Sequence, residues 1–427
     1  MILSRVPGRI VEVRGLNLLY ALFKQEMEDE MVQYLRVCLL AILFIVCISF
    51  GAPPKNVILL IGDGMGPEQV RAAGMYANGS AGTLSFESLP YQADCTTYSA
   101  NDSVTDSAAA ATAIATGHKV NNDVVSVALP GDGRELQTLV EYFSARGKST
   151  GLVTTAYISH GTPAAFGAHE TDRGHNSDII NDYLYQTQPN VMMGGASYIS
   201  SSTAASAGYT VVTNRNAMQA LDTDTVTRVW GLFGSGHMPY EYEGLGVYPH
   251  LREMTATALD ILDNDPEGFF LMVEGAQIDR AGHKSDLPCI IGETIEFANS
   301  AQVVMGWAAG RTDTLVLVTA DHECGGLFVI QNNGAGIYPT VNWTSGGHHT
   351  GVNVPVYAMG VNAELVDGTM DNTDFFNICI SDEMPADLDG DRRVDLVDIS
   401  LLSREWNHTM GLSDLQIIVD SWLAGIP

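Results

Sequence analysis

Four short apolar runs, each ending beside a polar residue, constrain the fold of this chain more than any other feature. The runs are VILLIG (57–62), GLVTT (151–155), FFLMVEG (269–275) and TLVLVTA (314–320), and helical patterning is expected after each of them. Runs this short and this apolar are typical of strands buried in a parallel sheet. Strands that alternate with helices predict an α/β fold, with a doubly wound, mostly parallel sheet sandwiched between helices. An apolar fraction of 46% in 427 residues can supply the core of one such large domain.

Polar side chains stand where these predicted strands end. Asp63 follows the first run, His160 and Thr162 follow the second, Glu274 closes the third, and Asp321 and His322 follow the fourth. Open parallel sheets bind ligands at the carboxyl ends of their strands. We therefore expect these side chains to converge on one rim of the sheet.

The segment VTDSAAAATAIATG offers a candidate nucleophile. It places Ser107 before an alanine-rich stretch that ends at Gly117. A helix beginning there would direct free backbone N–H groups and its positive end towards whatever Ser107 holds, which suits a phosphate. For an isolated DSAAA sequence, an ordinary N-capping serine remains the stronger interpretation.

Histidines and carboxylates form a second pattern. In IDRAGHKSD, Asp279 and His283 are four residues apart and would share one face of a helical turn, as two ligands of one metal do. GHHTG adds His348 and His349 from a glycine-rich loop. A single histidine is more often structural than a ligand, but together with the strand ends these residues favour a metal site. Two zinc ions roughly 4 Å apart are the usual arrangement for in-line phosphoryl displacement.

Six motifs together carry a resemblance to the alkaline phosphatase family over about residues 56–361. They are IGDGMG, VTDSAAAAT, HGTPAAFGAHETDR, VEGAQIDRAGH, TADHECGG and HHTG, in the family's order. The resemblance implies a metal-dependent phosphomonoesterase that acts on small phosphate monoesters through a phosphoserine intermediate. It also implies a homodimer that holds two Zn²⁺ and one Mg²⁺ per chain.

The same resemblance implies a role for each matching residue. Ser107 would be the nucleophile, and Arg173 would grip two phosphate oxygens with its planar guanidinium. The ligands of one zinc would be Asp63, Ser107, Asp321 and His322. The ligands of the other zinc would be Asp279, His283 and His349, with His348 as the runner-up to His349. The magnesium ligands would be Asp63, Thr162 and Glu274.

Three residues depart from the family pattern or vary within it. His160 stands where members carry either Asp or His, so it is expected to hold the third metal's water or to alter metal preference. Arg280 either adds a second cation facing the phosphate or points into solvent. Cys324 stands where members often have His or Thr, and a packing role beside the site is favoured over zinc ligation.

The two ends of the chain are expected to be separate from the catalytic domain, which we assign to residues 52–382. The run VCLLAILFIVCISF behind Arg36 is too short to span a bilayer comfortably, so residues 1–51 are predicted to be a leader with a signal peptide, with Met31 as the expected start. Retention of this run as a membrane anchor is the alternative. A signal peptide implies a secreted or periplasmic protein.

Residues 383–427 are predicted to form a dockerin-like or EF-hand-like helical tail that binds calcium and a scaffold or surface partner. The positions that match the first, third, fifth, ninth and twelfth of a calcium loop are Asp387, Asp389, Asp391, Asp395 and Asp398. The match is imperfect, because Arg392 replaces the expected glycine and Asp398 the usual glutamate. An acidic, solvated helix cap is the alternative.

The net charge argues against one class of partner, and two other functions remain as alternatives. The net charge of −29, from 50 acidic and 21 basic residues, argues against nucleic acid as a partner. A phosphodiesterase or sulfatase relative on the same fold remains an alternative. A second alternative is a scaffold-attached metal-binding protein without turnover.

Overall fold

The structure is a computed structural model that describes residues 54–381. Its strands are β1 (Asn56–Gly62), β2 (Tyr91–Thr96), β3 (Ser149–Tyr157), β4 (Val191–Gly195), β5 (Thr210–Val212), β6 (Val229–Leu232), β7 (Phe269–Gly275), β8 (Thr314–Ala320), β9 (Glu323–Cys324), β10 (Leu327–Gln331), β11 (Thr340–Trp343), β12 (His349–Thr350), β13 (Val354–Gly360) and β14 (Thr369–Asp371).

The α-helices of the same region are α1 (Pro67–Asn78), α2 (Ser107–Thr116), α3 (Leu139–Ser144), α4 (Gly161–Gly167), α5 (Asn176–Tyr185), α6 (Ser201–Ser206), α7 (Arg215–Gln219), α8 (Leu251–Leu262), α9 (Gln277–His283), α10 (Leu287–Ala308) and α11 (Asp374–Ile380). Single 3₁₀ turns lie at Ser85–Ser88, Glu241–Glu243 and Ala363–Leu365.

A ten-stranded sheet forms the centre of the described region, in the order β14-β2-β13-β8-β1-β7-β3-β4-β6-β5. Every neighbouring pair from β8 to β5 is parallel. Strand β13 runs antiparallel to both β8 and β2, while β14 is parallel to β2. The predicted α/β fold with a mostly parallel sheet is therefore confirmed, with one reversed strand near an edge.

The apolar runs locate the central strands well. The runs at 269–275 and 314–320 are β7 and β8 without change, whereas β1 begins one residue earlier and β3 extends beyond its run on both sides. The expectation of a helix after the fourth run is wrong. After β8 the chain enters the short strand β9 and then the β10–β11 hairpin, and glycines with positive φ at Gly325 and Gly326 turn it there.

Aromatic side chains of β7 show that helices cover both faces of the sheet. Successive residues of a strand point to opposite faces. The Phe270 ring stacks on Phe143 of α3 at 5.4 Å and on Phe166 of α4 at 5.9 Å. The neighbouring Phe269 instead contacts Trp307 of α10 at 5.3 Å. The sheet is thus sandwiched between two helical layers.

The strand register brings three predicted ligands to one edge of the sheet. Strand β1 lies between β7 and β8, and Ile61 pairs with Glu274 on one side and with Thr319 on the other. Asp63 and Asp321 each follow directly after the last residue of their strand, two residues beyond Ile61 and Thr319. The functional side chains therefore meet because parallel neighbours end together.

Two further observations concern membrane crossing and cysteine chemistry. In the described part of the chain, no helix has both the length and the apolar character needed to cross a membrane. Cys95, Cys289, Cys324 and Cys379 are buried thiols without a disulfide between them. Packing within this region thus rests on noncovalent contacts between apolar side chains.

Truncating a central strand residue should test this core. Leu59 is fully buried in β1, so Leu59→Ala leaves a cavity and should lower the free energy of unfolding by about 2 to 5 kcal/mol. Leu365→Ala is the matched control, because that side chain is 44% exposed. Urea unfolding at fixed metal concentration measures both. Equal unfolding midpoints for the two variants would contradict the proposed core.

Candidate metal centre and nucleophile

Ser107 is the first residue of α2 and is almost fully buried. Asp106 caps the helix by accepting a hydrogen bond from the Ala109 N–H at 3.0 Å. The sequence-based alternative, an N-capping role for Ser107 itself, is therefore wrong, since Asp106 fills it. The Ser107 Oγ instead lies 3.3 Å from Nε2 of His322. Its hydroxyl faces the strand ends, with the positive end of the helix behind it.

Asp106 also positions the predicted phosphate-binding arginine. Its Oδ2 pairs with Nη1 of Arg173 at 2.7 Å. The Nη2 of Arg173 lies 3.2 Å from Nε2 of His160. A guanidinium only donates hydrogen bonds, so Nε2 of His160 accepts and the ring proton lies on Nδ1. Burial and the charge of Arg173 lower the pKa of His160 well below its usual value. A neutral His160 thus helps to hold Arg173 beside Ser107.

Asp279, His283 and His349 form the first candidate metal-binding group. The Nε2 atoms of His283 and His349 are 3.2 Å apart. Each lies 3.3 Å from a carboxylate oxygen of Asp279. A tetrahedral ion with ligand bonds near 2.0 Å has ligand-to-ligand edges of roughly 3.3 Å. The two nitrogens and the Asp279 carboxylate, whose Oδ2 faces His283 and whose Oδ1 faces His349, are therefore spaced as ligands of one zinc ion.

Backbone carbonyls fix the orientation of both imidazoles in this group. The Nδ1 of His283 donates to the Gly347 carbonyl at 2.6 Å, and the Nδ1 of His349 donates to the Thr105 carbonyl at 2.9 Å. Both Nε2 atoms therefore face Asp279. Burial opposes protonation of His349, but Asp279 raises its pKa to about 9. The site attracts positive charge, and a metal would displace the proton.

Asp63, Asp321 and His322 form the second group, beside Ser107. The Nε2 of His322 lies 3.2 Å from Oδ2 of Asp321 and 3.6 Å from Oδ1 of Asp63. The Gly64 N–H donates to Oδ1 of Asp321 at 3.0 Å and so orients that carboxylate. Among the described residues, Oδ2 of Asp321 and both oxygens of Asp63 have no hydrogen-bond partner.

Asp63, His160 and Glu274 form the third group, next to Thr162 at the start of α4. Oε2 of Glu274 accepts a 2.5 Å hydrogen bond from Thr154. Within residues 54–381, Oε1 of Glu274 and the Thr162 hydroxyl oxygen are buried without a partner. Such oxygen donors suit a hard cation such as Mg²⁺.

The chemistry of these groups fits bound cations. Burial raises the pKa of Asp63 well above its usual value, and the charges of Asp321, Asp279 and Glu274 add to it. Burial likewise raises the pKa of Glu274 to about 7 and that of Asp321 to about 6. Buried carboxylates with unpaired oxygens are costly unless they bind metals or protons.

Some residues fall elsewhere than the sequence suggested, and one was missed. His348 is exposed, whereas His349 lies in the first group. Cys324 also lies in the first group. The missed residue is His237, whose ring packs edge-on against Tyr157 at 4.8 Å and His160 at 5.4 Å. It belongs to the segment GLFGSGHMPYE, which lies outside the six motifs and away from the ends of the four apolar runs, so neither pattern indicated it.

Comparison with known proteins identifies what this arrangement resembles. A family model described as alkaline phosphatase matches residues 54–203 and 184–339. Alkaline phosphatase 3 of Bacillus subtilis is 31% identical, over 77% of this chain and 91% of that protein. The crystal structure of a cold-active alkaline phosphatase from Shewanella sp. is 30% identical, with a TM-score of 0.70 over 76% of this chain and 99% of that one.

A further solved structure carries a metal. It is a variant of the alkaline phosphatase from TAB5, in which one histidine is replaced by aspartate, with Mg bound in a site named M3. This structure is 27% identical, with a TM-score of 0.68 over 77% of this chain and 97% of that one.

Removing the cations should reveal the repulsion between these carboxylates. Because the folded pKa of Glu274 is about 7 against an ordinary value of 4.5, the folded metal-free protein binds the extra proton between these values. Its free energy of unfolding should therefore fall as pH rises through this window. Relative to Glu274→Gln, the loss between about pH 5 and pH 7 is on the order of 2 kcal/mol.

Urea unfolding of chelator-treated wild type and Glu274→Gln across this pH range measures the difference. At about pH 7 the metal-free wild type should be less stable than metal-free Glu274→Gln. Adding zinc and magnesium at this pH should reverse that order, so that the wild type becomes the more stable protein. Parallel pH dependences for the two metal-free proteins would show that Glu274 is not held in this charged cluster.

Proposed function

The chain belongs to the alkaline phosphatase family, and we propose that it hydrolyses phosphate monoesters through a phosphoserine intermediate on Ser107. The observation that carries the proposal is the position of the Ser107 hydroxyl. It lies at a helix N-terminus, 3.3 Å from Nε2 of His322, and the paired Asp106 and Arg173 stand beside it. A hydroxyl in this setting is placed to attack a phosphate that the arginine holds.

The proposal includes two Zn²⁺ and one Mg²⁺. One zinc would bind Asp63, Ser107, Asp321 and His322, and the other would bind Asp279, His283 and His349. The magnesium would bind Asp63, Thr162 and Glu274, with His160 at its edge. When bound, such cations stabilise the serine alkoxide and the leaving oxygen. The support is the set of buried, unpartnered carboxylate oxygens at the ends of β1, β7 and β8.

The chain's own residues account for the chemistry around the phosphorus. Arg173 binds two non-bridging oxygens of the substrate, and Asp106 keeps the guanidinium in place. The Ser107 oxygen loses its proton to solvent and forms a bond to phosphorus as the bond to the alcohol oxygen breaks, and the departing alcohol oxygen takes up a proton from solvent. Water then attacks the phosphoserine, the bond from phosphorus to the Ser107 oxygen breaks, and that oxygen regains a proton as inorganic phosphate leaves. Two in-line displacements give net retention of configuration.

The substrate class follows from what these groups address. Arg173 and the metal groups contact only the phosphoryl group, so the alcohol can vary widely. A monoester leaves two non-bridging oxygens for the guanidinium and a third for the metal side, whereas a diester has only two in all. We therefore propose small phosphate monoesters as substrates, and not diesters. A sulfate monoester also has three such oxygens but carries only one negative charge, against nearly two on a phosphate monoester, so it pairs less well with Arg173 and the cations.

Three nitrophenyl substrates separate the candidate activities. Purified protein with zinc and magnesium should hydrolyse nitrophenyl phosphate with a kcat/KM well above that for bis-nitrophenyl phosphate or nitrophenyl sulfate. A kcat/KM for the diester or the sulfate above that for nitrophenyl phosphate would refute the proposed phosphomonoesterase activity. Bound zinc without hydrolysis of any ester would favour a metal-binding protein without turnover.

Removing the nucleophile should abolish turnover but keep the metals. Ser107→Ala should lose at least about 10³-fold in kcat while the carboxylates and histidines still bind zinc. Phosphate trapped on Ser107 in acid-quenched wild type, detected by mass spectrometry, identifies the intermediate. Phosphorylation of a different residue, or near-normal turnover by Ser107→Ala, would refute the assignment.

Removing the arginine should weaken monoester recognition. Arg173→Ala loses two charge-assisted hydrogen bonds, so kcat/KM for nitrophenyl phosphate should fall about 10- to 1,000-fold, while the low diester rate should change less. Arg134→Ala is the control, because that side chain is 57% exposed. Equal losses on monoester and diester would show that Arg173 does not select for the free phosphate oxygens.

Three remaining proposals concern the whole protein. We propose export through the leader at 1–51, a homodimer, and a calcium-binding tail at 383–427 that attaches to a scaffold or surface. The leader and the tail, including Asp387, Asp389, Asp391, Asp395 and Asp398, lie outside the described residues. N-terminal sequencing of exported protein tests the leader, and sedimentation tests the homodimer. Calcium binding by the intact chain tests the tail.

A further inference from the structure

We propose that Cys324 is a fourth protein ligand of the metal held by Asp279, His283 and His349, which gives this position a preference for thiophilic ions. The inference rests on the metal site of the proposed function and adds a ligand to it. It reverses the sequence-based preference for a packing role.

A two-stranded ladder directs the cysteine towards the site. Strand β9 pairs with β12 in antiparallel register, and Cys324 lies directly opposite His349. Residues directly opposite in a ladder project from the same face. The next pair projects from the other face, where Thr350 donates to Oε2 of Glu323 at 2.6 Å. Cys324 is therefore on the face that already supplies His349 to the metal.

The distances agree with this direction. The Sγ of Cys324 and one ligand atom from each of Asp279, His283 and His349 all lie within 4.8 Å of one another. The two histidine nitrogens and the Asp279 carboxylate stand on three sides of the proposed ion, and a tetrahedral zinc takes a fourth ligand. Within the described residues, Oδ1 of Asp279 is buried, makes no hydrogen bond of good geometry and faces Nε2 of His349 at 3.3 Å, so it belongs to the same cluster.

Two glycines make room for the sulfur. A Cβ placed on Gly282 would come within 3.0 Å of Sγ of Cys324, and one on Gly64 would come within 3.0 Å of its Cβ. Larger residues at these positions would crowd the thiol. The cysteine is thus fully buried between α9 and the loop after β1, with the metal group beside it.

The chemistry is balanced and requires no redox partner. On metal binding, the S–H bond of Cys324 breaks, its proton passes to solvent, and the thiolate sulfur forms the bond to the cation. Zinc can expand to five ligands when a substrate oxygen arrives. A thiolate favours zinc, cobalt or cadmium over magnesium or manganese at this position.

Zinc-edge X-ray absorption of the full-length wild-type protein tests the assignment directly. Zinc–sulfur bonds are about 2.3 Å and zinc–nitrogen bonds about 2.0 to 2.1 Å, so the two scatterers are distinguishable. With two zinc ions bound, we expect an average of one sulfur for every two zinc ions. A spectrum fitted by nitrogen and oxygen alone would overturn the proposal.

Cobalt substitution supplies the variant test. Wild type and the control Cys289→Ser, which alters a buried thiol outside the metal group, should show a near-ultraviolet thiolate-to-cobalt absorption. Cys324→Ser should lose that band and keep the weak visible bands of bound cobalt. A band that persists in Cys324→Ser would refute the ligand assignment. If Cys324→Ser does not fold, the wild-type zinc spectrum decides.

The two proposals fail in different ways. An active phosphatase without a zinc–sulfur bond would refute only the role of Cys324. A protein with a zinc–sulfur bond and no hydrolysis of phosphate monoesters would refute the proposed function and leave the ligand in place.

Discussion

The structure depends on burying several carboxylates together at one edge of a parallel sheet. Asp63, Glu274 and Asp321 are all fully buried, and burial raises the pKa of each. Hydrophobic contacts do not offset the free-energy cost of burying these carboxylates, because they give the carboxylate oxygens no partner. Divalent cations would offset it, and the same cations would supply the charge that the proposed phosphoryl transfer needs. The stability of the site and its chemistry therefore have one physical origin.

This arrangement also explains how a strongly acidic protein can act on an anionic substrate. Its net charge of −29 repels phosphate esters at long range. Positive charge is instead concentrated locally, in Arg173, in the end of α2 and in the metals that we propose to bind there. Asp106 organises two of these elements, since it caps α2 and pairs with Arg173. We infer that affinity comes from this local field and not from the protein surface.

The sequence predicts much of this because the ends of buried strands are visible in it. Asp63, Glu274 and Asp321 stand beside uniformly apolar runs, and the parallel register brings such ends together. The motif resemblance identifies His349 over His348, which apolar patterning cannot do. Which of these two histidines faces the metal group depends on the β9–β12 ladder. This ladder joins two strands of two residues each, which leave no periodic pattern in the sequence.

Other features depend on tertiary contacts that have no local pattern. The helix expected after β8 is replaced by a turn at two glycines, because a short apolar run carries no information about the next element of the chain. Cys324 is adjacent to the metal group only because its partner strand arrives from 25 residues later in the chain. His237 reaches Tyr157 and His160 through a loop whose path the sequence does not specify.

Anomalous diffraction at the zinc edge, from crystals of the intact protein grown with zinc, tests the central claim most directly. We expect two zinc peaks roughly 4 Å apart, one within bonding distance of Ser107 Oγ and the other among Asp279, His283 and His349. Zinc bound only elsewhere, or Ser107 Oγ turned away from both peaks, would contradict it.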